Sequence, residues 1–114
     1  MPNILNIASA VDLTATGPKA GVRLGVTPLL GGNGREGKLF LSNAIGGAGV
    51  VAIQGHPSTD KTAPASGDAG WATISSLTSA SPLLSEIADL PNWIRLNVTT
   101  AGTGTLTATL EGVQ

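Results

Sequence analysis

The chain has 114 residues, enough for a single domain that buries roughly two thirds of the surface its unfolded form exposes. It has no cysteine, which excludes thiolate metal sites, cysteine nucleophiles and disulfides, and its six Lys and Arg against seven Asp and Glu leave a formal charge of −1, with no basic field for nucleic acid. Only 11% of the residues are charged, less than half the usual quarter, which describes a neutral surface suited to packing against other proteins.

Residues 3–13 alternate Leu5, Ile7, Val11 and Leu13 with Ile4, Ala8 and Ala10, the period of a strand. Residues 1–13 are expected to act as an N-terminal arm or an edge strand, and an unpaired edge of this kind invites another chain. Gly17-Pro18 marks a turn, and Val22, Leu24 and Val26 form a second strand that ends at Pro28. A glycine-rich loop over residues 29–37 leads to a strand at residues 38–43. Gly46-Gly47-Ala48-Gly49 then turns the chain into the buried run Val50-Val51-Ala52-Ile53. Residues 55–70 have no periodicity and hold Pro57, Pro64, Gly67 and Gly70, so they read as a long exposed loop, of a length that inside a domain usually carries function or moves.

A strand resumes over residues 71–77. Ser81-Pro82 resembles a helix start, and Leu83, Leu84, Ile87 and Leu90 recur at helical spacing up to Pro91, which predicts one short helix over residues 82–90. Residues 92–112 alternate twice, with Ile94, Leu96 and Val98 and then Leu106, Ala108 and Leu110 on the apolar face. Gly102 and Gly104 lie between, the pattern of an antiparallel hairpin. The fold expected is all-β, one domain over residues 1–114, built as a jelly-roll-like β-sandwich or a β-barrel with that single helix. No uncharged run is long enough to cross a membrane, and no basic segment precedes an apolar one, so neither a transmembrane helix nor a signal peptide is expected.

The chemistry-bearing motifs are sparse. Gly32 to Lys38 satisfies G-x-G-x-x-G and the first seven positions of a phosphate loop, but Leu39 stands where Ser or Thr would hold magnesium, and Leu39-Phe40-Leu41 reads as a strand rather than a helix start. His56 is the only histidine; Asp60 and Asp68 share its loop, and solvated loop residues explain the three better than a metal or acid-base site. With one histidine, no G-x-S-x-G elbow and no distinctive pair of carboxylates, no catalytic residue, cofactor or metal ligand is assigned, and the chain is not expected to be an enzyme. Asn97-Val98-Thr99 matches the glycosylation acceptor but lies inside a strand.

Trp93 falls on the polar face of its strand beside Arg95, and Trp71 follows Gly70 at a strand start. Each tryptophan is either an interface anchor or sugar-stacking platform, or a side chain covered by a loop or by the 82–90 helix. The cover is the simpler reading for a soluble monomer. The candidate interface therefore comprises Ile4, Leu5 and Ile7 of the first strand with Trp71, Trp93 and Arg95.

The run Leu90-Pro91-Asn92-Trp93-Ile94-Arg95-Leu96-Asn97-Val98-Thr99, followed by Gly102-Thr103-Gly104-Thr105 and closed by Leu110-Glu111-Gly112, resembles small tailed-phage virion proteins, and among them capsid decoration, or cement, proteins. The resemblance implies a β-rich structural protein on the outside of a phage head, made in the host cytoplasm and often trimeric, with the major capsid protein as partner. It brings no catalytic motif, cofactor, nucleic acid or membrane. The rival expectation is a carbohydrate-binding β-sandwich on a phage head or tail, with Trp71 or Trp93 as its platform.

Overall fold

The computed structural model describes residues 4–24, 36–88 and 90–112. Alternating apolar positions give nine strands and, among the described residues, no helix: β1 (Ile4–Asp12), β2 (Gly17–Pro18), β3 (Val22–Arg23), β4 (Gly37–Leu41), β5 (Val50–His56), β6 (Ala72–Leu77), β7 (Leu84–Ile87), β8 (Trp93–Thr100) and β9 (Thr105–Gly112). They form two antiparallel sheets, one in the order β1-β9-β4-β7 and the other β2-β8-β5-β6, with β3 also paired to β8. A sheet with one apolar face is stable only when that face is covered, and here each sheet covers the other. Leu39, Leu41, Leu106, Ala108 and Leu110 of the first sheet and Val51, Ile53, Ile94, Leu96 and Val98 of the second belong to one buried cluster. The fold is a β-sandwich, with β1 and β7 as the edges of its first sheet.

Two expectations are corrected. Residues 82–88 and 90 are not helical: Leu84–Ile87 pairs with β4, setting Leu84 opposite Phe40 and Glu86 opposite Lys38. Ser81 does not cap forward; its hydroxyl accepts from the Thr78 N–H at 3.0 Å and its own N–H donates to the Thr78 carbonyl, closing a turn behind it. A two-turn helix would be marginal. The open edge of β4 offers the same residues a ladder. Asp89 lies outside the described residues.

Nor do β8 and β9 form a hairpin. Both bury the predicted faces, but β8 lies in one sheet and β9 in the other. Residues 101–104 therefore cross the sandwich, as do residues 13–16 between β1 and β2 and residues 42–49 between β4 and β5. The three crossovers meet at one end. Leu13 donates its N–H to the Gly104 carbonyl and accepts from Gly102 N–H at 2.7 Å, while Thr103 N–H donates to the Gly46 carbonyl at 3.1 Å. Glycine is required at this crossing, since a Cβ on Gly49 would stand 2.8 Å from the Gly102 Cα and one on Gly102 would stand 2.5 Å from the Gly46 oxygen. Gly104 takes φ +77°, a left-handed conformation that favours glycine.

Among the described residues of the predicted second strand, Val22–Arg23 pairs with Trp93 and Ile94 of β8; Val26 and the Gly32–Arg35 part of the phosphate-loop motif lie outside the described residues. Gly37–Leu41 is a strand. The first segment is no separate arm: Ile4–Asp12 pairs along β9 and contributes Ile7 and Ala8 to the core.

Candidate functional site

The outward face of β5 and β8 carries an unusual set of side chains. Antiparallel pairing places Gln54 opposite Arg95 and His56 opposite Trp93, so four polar or aromatic residues share a face away from the core. The connection from β5 to β6, residues 57–71, folds down over them. Arg95 donates from Nε to Gln54 Oε1 at 2.8 Å and from Nη1 to the Ser66 carbonyl at 3.0 Å, and its guanidinium carbon lies 4.1 Å from the centre of the Trp71 ring. The Trp71 indole donates to the Ala65 carbonyl at 3.0 Å, and Asn92 Nδ2 donates to the Pro57 carbonyl at 2.9 Å. The bonds to the Pro57, Ala65 and Ser66 carbonyls satisfy loop backbone that would otherwise need water.

His56 closes the arrangement. Its Nδ1 lies 3.0 Å from the Ser58 N–H, which can only donate, so Nδ1 is the unprotonated nitrogen and Nε2–H donates to Asp68 Oδ1 at 2.9 Å. The ring also meets Trp71 edge-on, with centroids 5.1 Å apart. The donors His56 and, next, the Gly70 N–H hold the Asp68 carboxyl below its ordinary value. Burial pulls the Arg95 guanidinium below its ordinary value, and among the described residues no carboxylate pairs with it. The stack on Trp71 and the two acceptors are its compensation. Trp93 Nε1 is buried with no acceptor among the described residues.

Chemically this cluster is a fastening rather than a reactive centre. Both imidazole nitrogens are occupied within the chain, no hydroxyl is bonded to either, and among the described residues no group of three or more His, Asp or Glu is gathered for a metal. The expectation that His56 and Asp68 are merely solvated is corrected. A signal for it was present: Gln54 and His56 continue the alternation of β5 on the face opposite Ile53, so His56 belongs to the strand.

The candidate interface residues separate into two groups. Ile7, Trp93 and Arg95 are each only 5% exposed and are used within the chain itself. Trp71 and Leu5 are half-buried, and Ile4 is 70% exposed at the start of the edge strand. No family model, curated protein or solved structure matches this chain. Sequence reasoning missed the exposed apolar group on the opposite sheet. Phe40 and Leu84 are cross-strand partners on its outer face, and Leu83 stands beside them, all at least a third exposed. The run Leu39-Phe40-Leu41 contained the clue, because a strand with Leu39 and Leu41 inside must turn Phe40 out.

Proposed function

We propose that this chain is a structural virion protein that binds the outside of an assembled phage capsid and stabilises it. The observation that carries this reading is how the side chains are deployed. The only histidine and the buried Arg95 fasten a loop to the chain's own sheet, whereas Ile4, Phe40, Leu83 and Leu84 stand in solvent on a molecule with few charges. Apolar side chains exposed in a group mark a surface for other proteins. The stretch that resembles decoration proteins, residues 90–112, supplies β8 and β9, one strand inside each sheet.

In this role the protein sits on the capsid surface as a homo-oligomer, a trimer by the resemblance, with the major capsid protein as partner. Binding the assembled shell better than its free subunits stabilises the shell by linkage, and several copies held together multiply one weak contact. A sugar-binding role has less support, because Trp93 is buried and Arg95 covers one face of Trp71. The test adds purified protein to heads of the encoding virus made without it, and follows occupancy and the temperature of DNA release. Saturable binding with a raised release temperature is expected. No binding, or full occupancy with no gain in heat resistance, removes the proposal, and a glycan-array signal lost on Trp71→Ala would replace it.

A further inference from the structure

The two edges of the first sheet differ in a complementary way. At the β7 edge, Leu83, Leu84 and Phe40 form an apolar ridge. Between Asp68 and Glu86 the sequence has no charged residue, so the strand reaches that ridge through an uncharged stretch. At the opposite edge, where β1 and residues 19–22 stand apart, a cleft of about 300 Å³ opens between the sheets, floored by Ile7, Ala8, Val11 and Val22. That is about twice the volume, about 150 Å³, of an apolar cavity that takes up benzene. It has room for leucine side chains.

The β1 edge is also built against simple strand addition. Its register shifts twice against β9, Ala10 has φ +48°, and Asn6 Oδ1 accepts the Ala8 N–H at 3.1 Å, so no regular row of free backbone groups is presented. Whatever docks there docks by side chains. Charge matches as well: Lys19 lines the cleft, while beside the ridge Lys38 stands between Glu86 and Glu111, which among the described residues leaves an acid in surplus.

We infer that the occupant of the cleft is the β7 ridge of a second copy of this chain, Leu83 and Leu84 entering between the sheets with Glu86 facing Lys19. The ridge and the cleft lie at opposite edges of a four-stranded sheet, about 14 Å apart at a spacing of about 4.8 Å per strand, and face away from each other. They cannot meet within one molecule. Each copy therefore offers a ridge to one neighbour and a cleft to the next, a head-to-tail contact that closes into a ring where the rotation permits. The inference concerns the purified chain alone and does not rest on the capsid reading.

The experiment uses two substitutions at exposed positions, Leu84→Glu on the ridge and Ala20→Glu in the cleft, with circular dichroism and melting to show that both fold. In analytical ultracentrifugation the unaltered chain is expected to form oligomers larger than a dimer as concentration rises, and each variant alone to lose them. Mixed in equal amounts, the two variants are expected to give a heterodimer and nothing larger, because one intact cleft and one intact ridge remain. Lys19→Glu and Glu86→Lys should each weaken assembly about tenfold or more, and together restore it. An unaltered chain that stays monomeric overturns the inference. So does an Ala20→Glu variant that assembles normally, since the ridge would then meet another ridge, or the cleft would be filled by its own chain.

Discussion

Replacing Gly102 by alanine tests the crossing that closes one end of the sandwich. The added Cβ would stand 2.5 Å from the Gly46 carbonyl oxygen and 3.0 Å from the Gly49 Cα, both backbone atoms that no rotamer change can move. Relief requires the two crossovers to separate, which stretches the Gly102–Leu13 bond of 2.7 Å and the Thr103–Gly46 bond of 3.1 Å. Overpacking of this kind costs about 1–3 kcal/mol, and each of the two weakened hydrogen bonds adds about 0.5–1.5 kcal/mol, so a loss of about 2–6 kcal/mol is expected. At about 4 °C per kcal/mol for a domain of this size, the melting temperature falls by about 8–24 °C. Urea denaturation with an unchanged slope is the primary assay. Two glycines calibrate it: Gly67 has open space around its Cβ position and should change little, and Gly104, equally open but at φ +77°, should lose about 1–2 kcal/mol from the left-handed backbone alone. If Gly102→Ala proves no worse than Gly67→Ala, the crossovers do not lock each other and the steric reasoning fails.

Leu96→Ala and Leu110→Ala, on facing sheets and almost fully buried, should each cost about 2–5 kcal/mol; a loss under about 0.5 kcal/mol at both would mean that the sheets do not pack through these faces. The Asp68 carboxyl, lowered by the donors His56 and Gly70, contributes stability that is present above its unfolded value, about pH 4, and lost as the pH falls through its lower folded value. In an acid titration followed by tryptophan fluorescence, Asp68→Asn should therefore lose part of the transition that the unaltered chain shows below pH 4; coincident curves would show that the latch does not hold the loop near Trp71.

Which face of each strand is buried was legible because period two depends only on side-chain polarity. Leu96 and Leu110 could be placed inside without knowing what they touch. Partners were a different matter. Gly102 and Gly104 permit a hairpin turn and a crossing of the sandwich equally, and the choice is made by Leu13 and Gly46, which lie far away in sequence and offer the carbonyls that the crossing link needs. The spacing of Leu83, Leu84, Ile87 and Leu90 was ambiguous in the same way. Four apolar residues in eight fit a short helix or a strand at a sheet border, and the open side of β4 decided it. The loop over residues 57–71 is aperiodic in itself; its conformation is set by Gln54, His56, Trp93 and Arg95 beneath it, from strands about 40 residues apart.

The two outer faces of the sandwich are treated in opposite ways, and this bears on what the surface is for. On the β5–β8 face the chain buries a cation that has no carboxylate partner among the described residues, an arrangement whose desolvation cost is only partly offset by carbonyls and a ring. It does so by ordering some fifteen residues of loop, each of which loses about 1–2 kcal/mol of backbone entropy. On the β4–β7 side Phe40 and Leu84 remain exposed, although covering them would have gained about 25 cal/mol for each Å² of apolar surface removed from solvent. For stability of the isolated chain alone, the covering is on the wrong side. On the proposal that another protein chain covers the apolar side, the distribution makes sense, because the free energy unused in folding then becomes available for assembly.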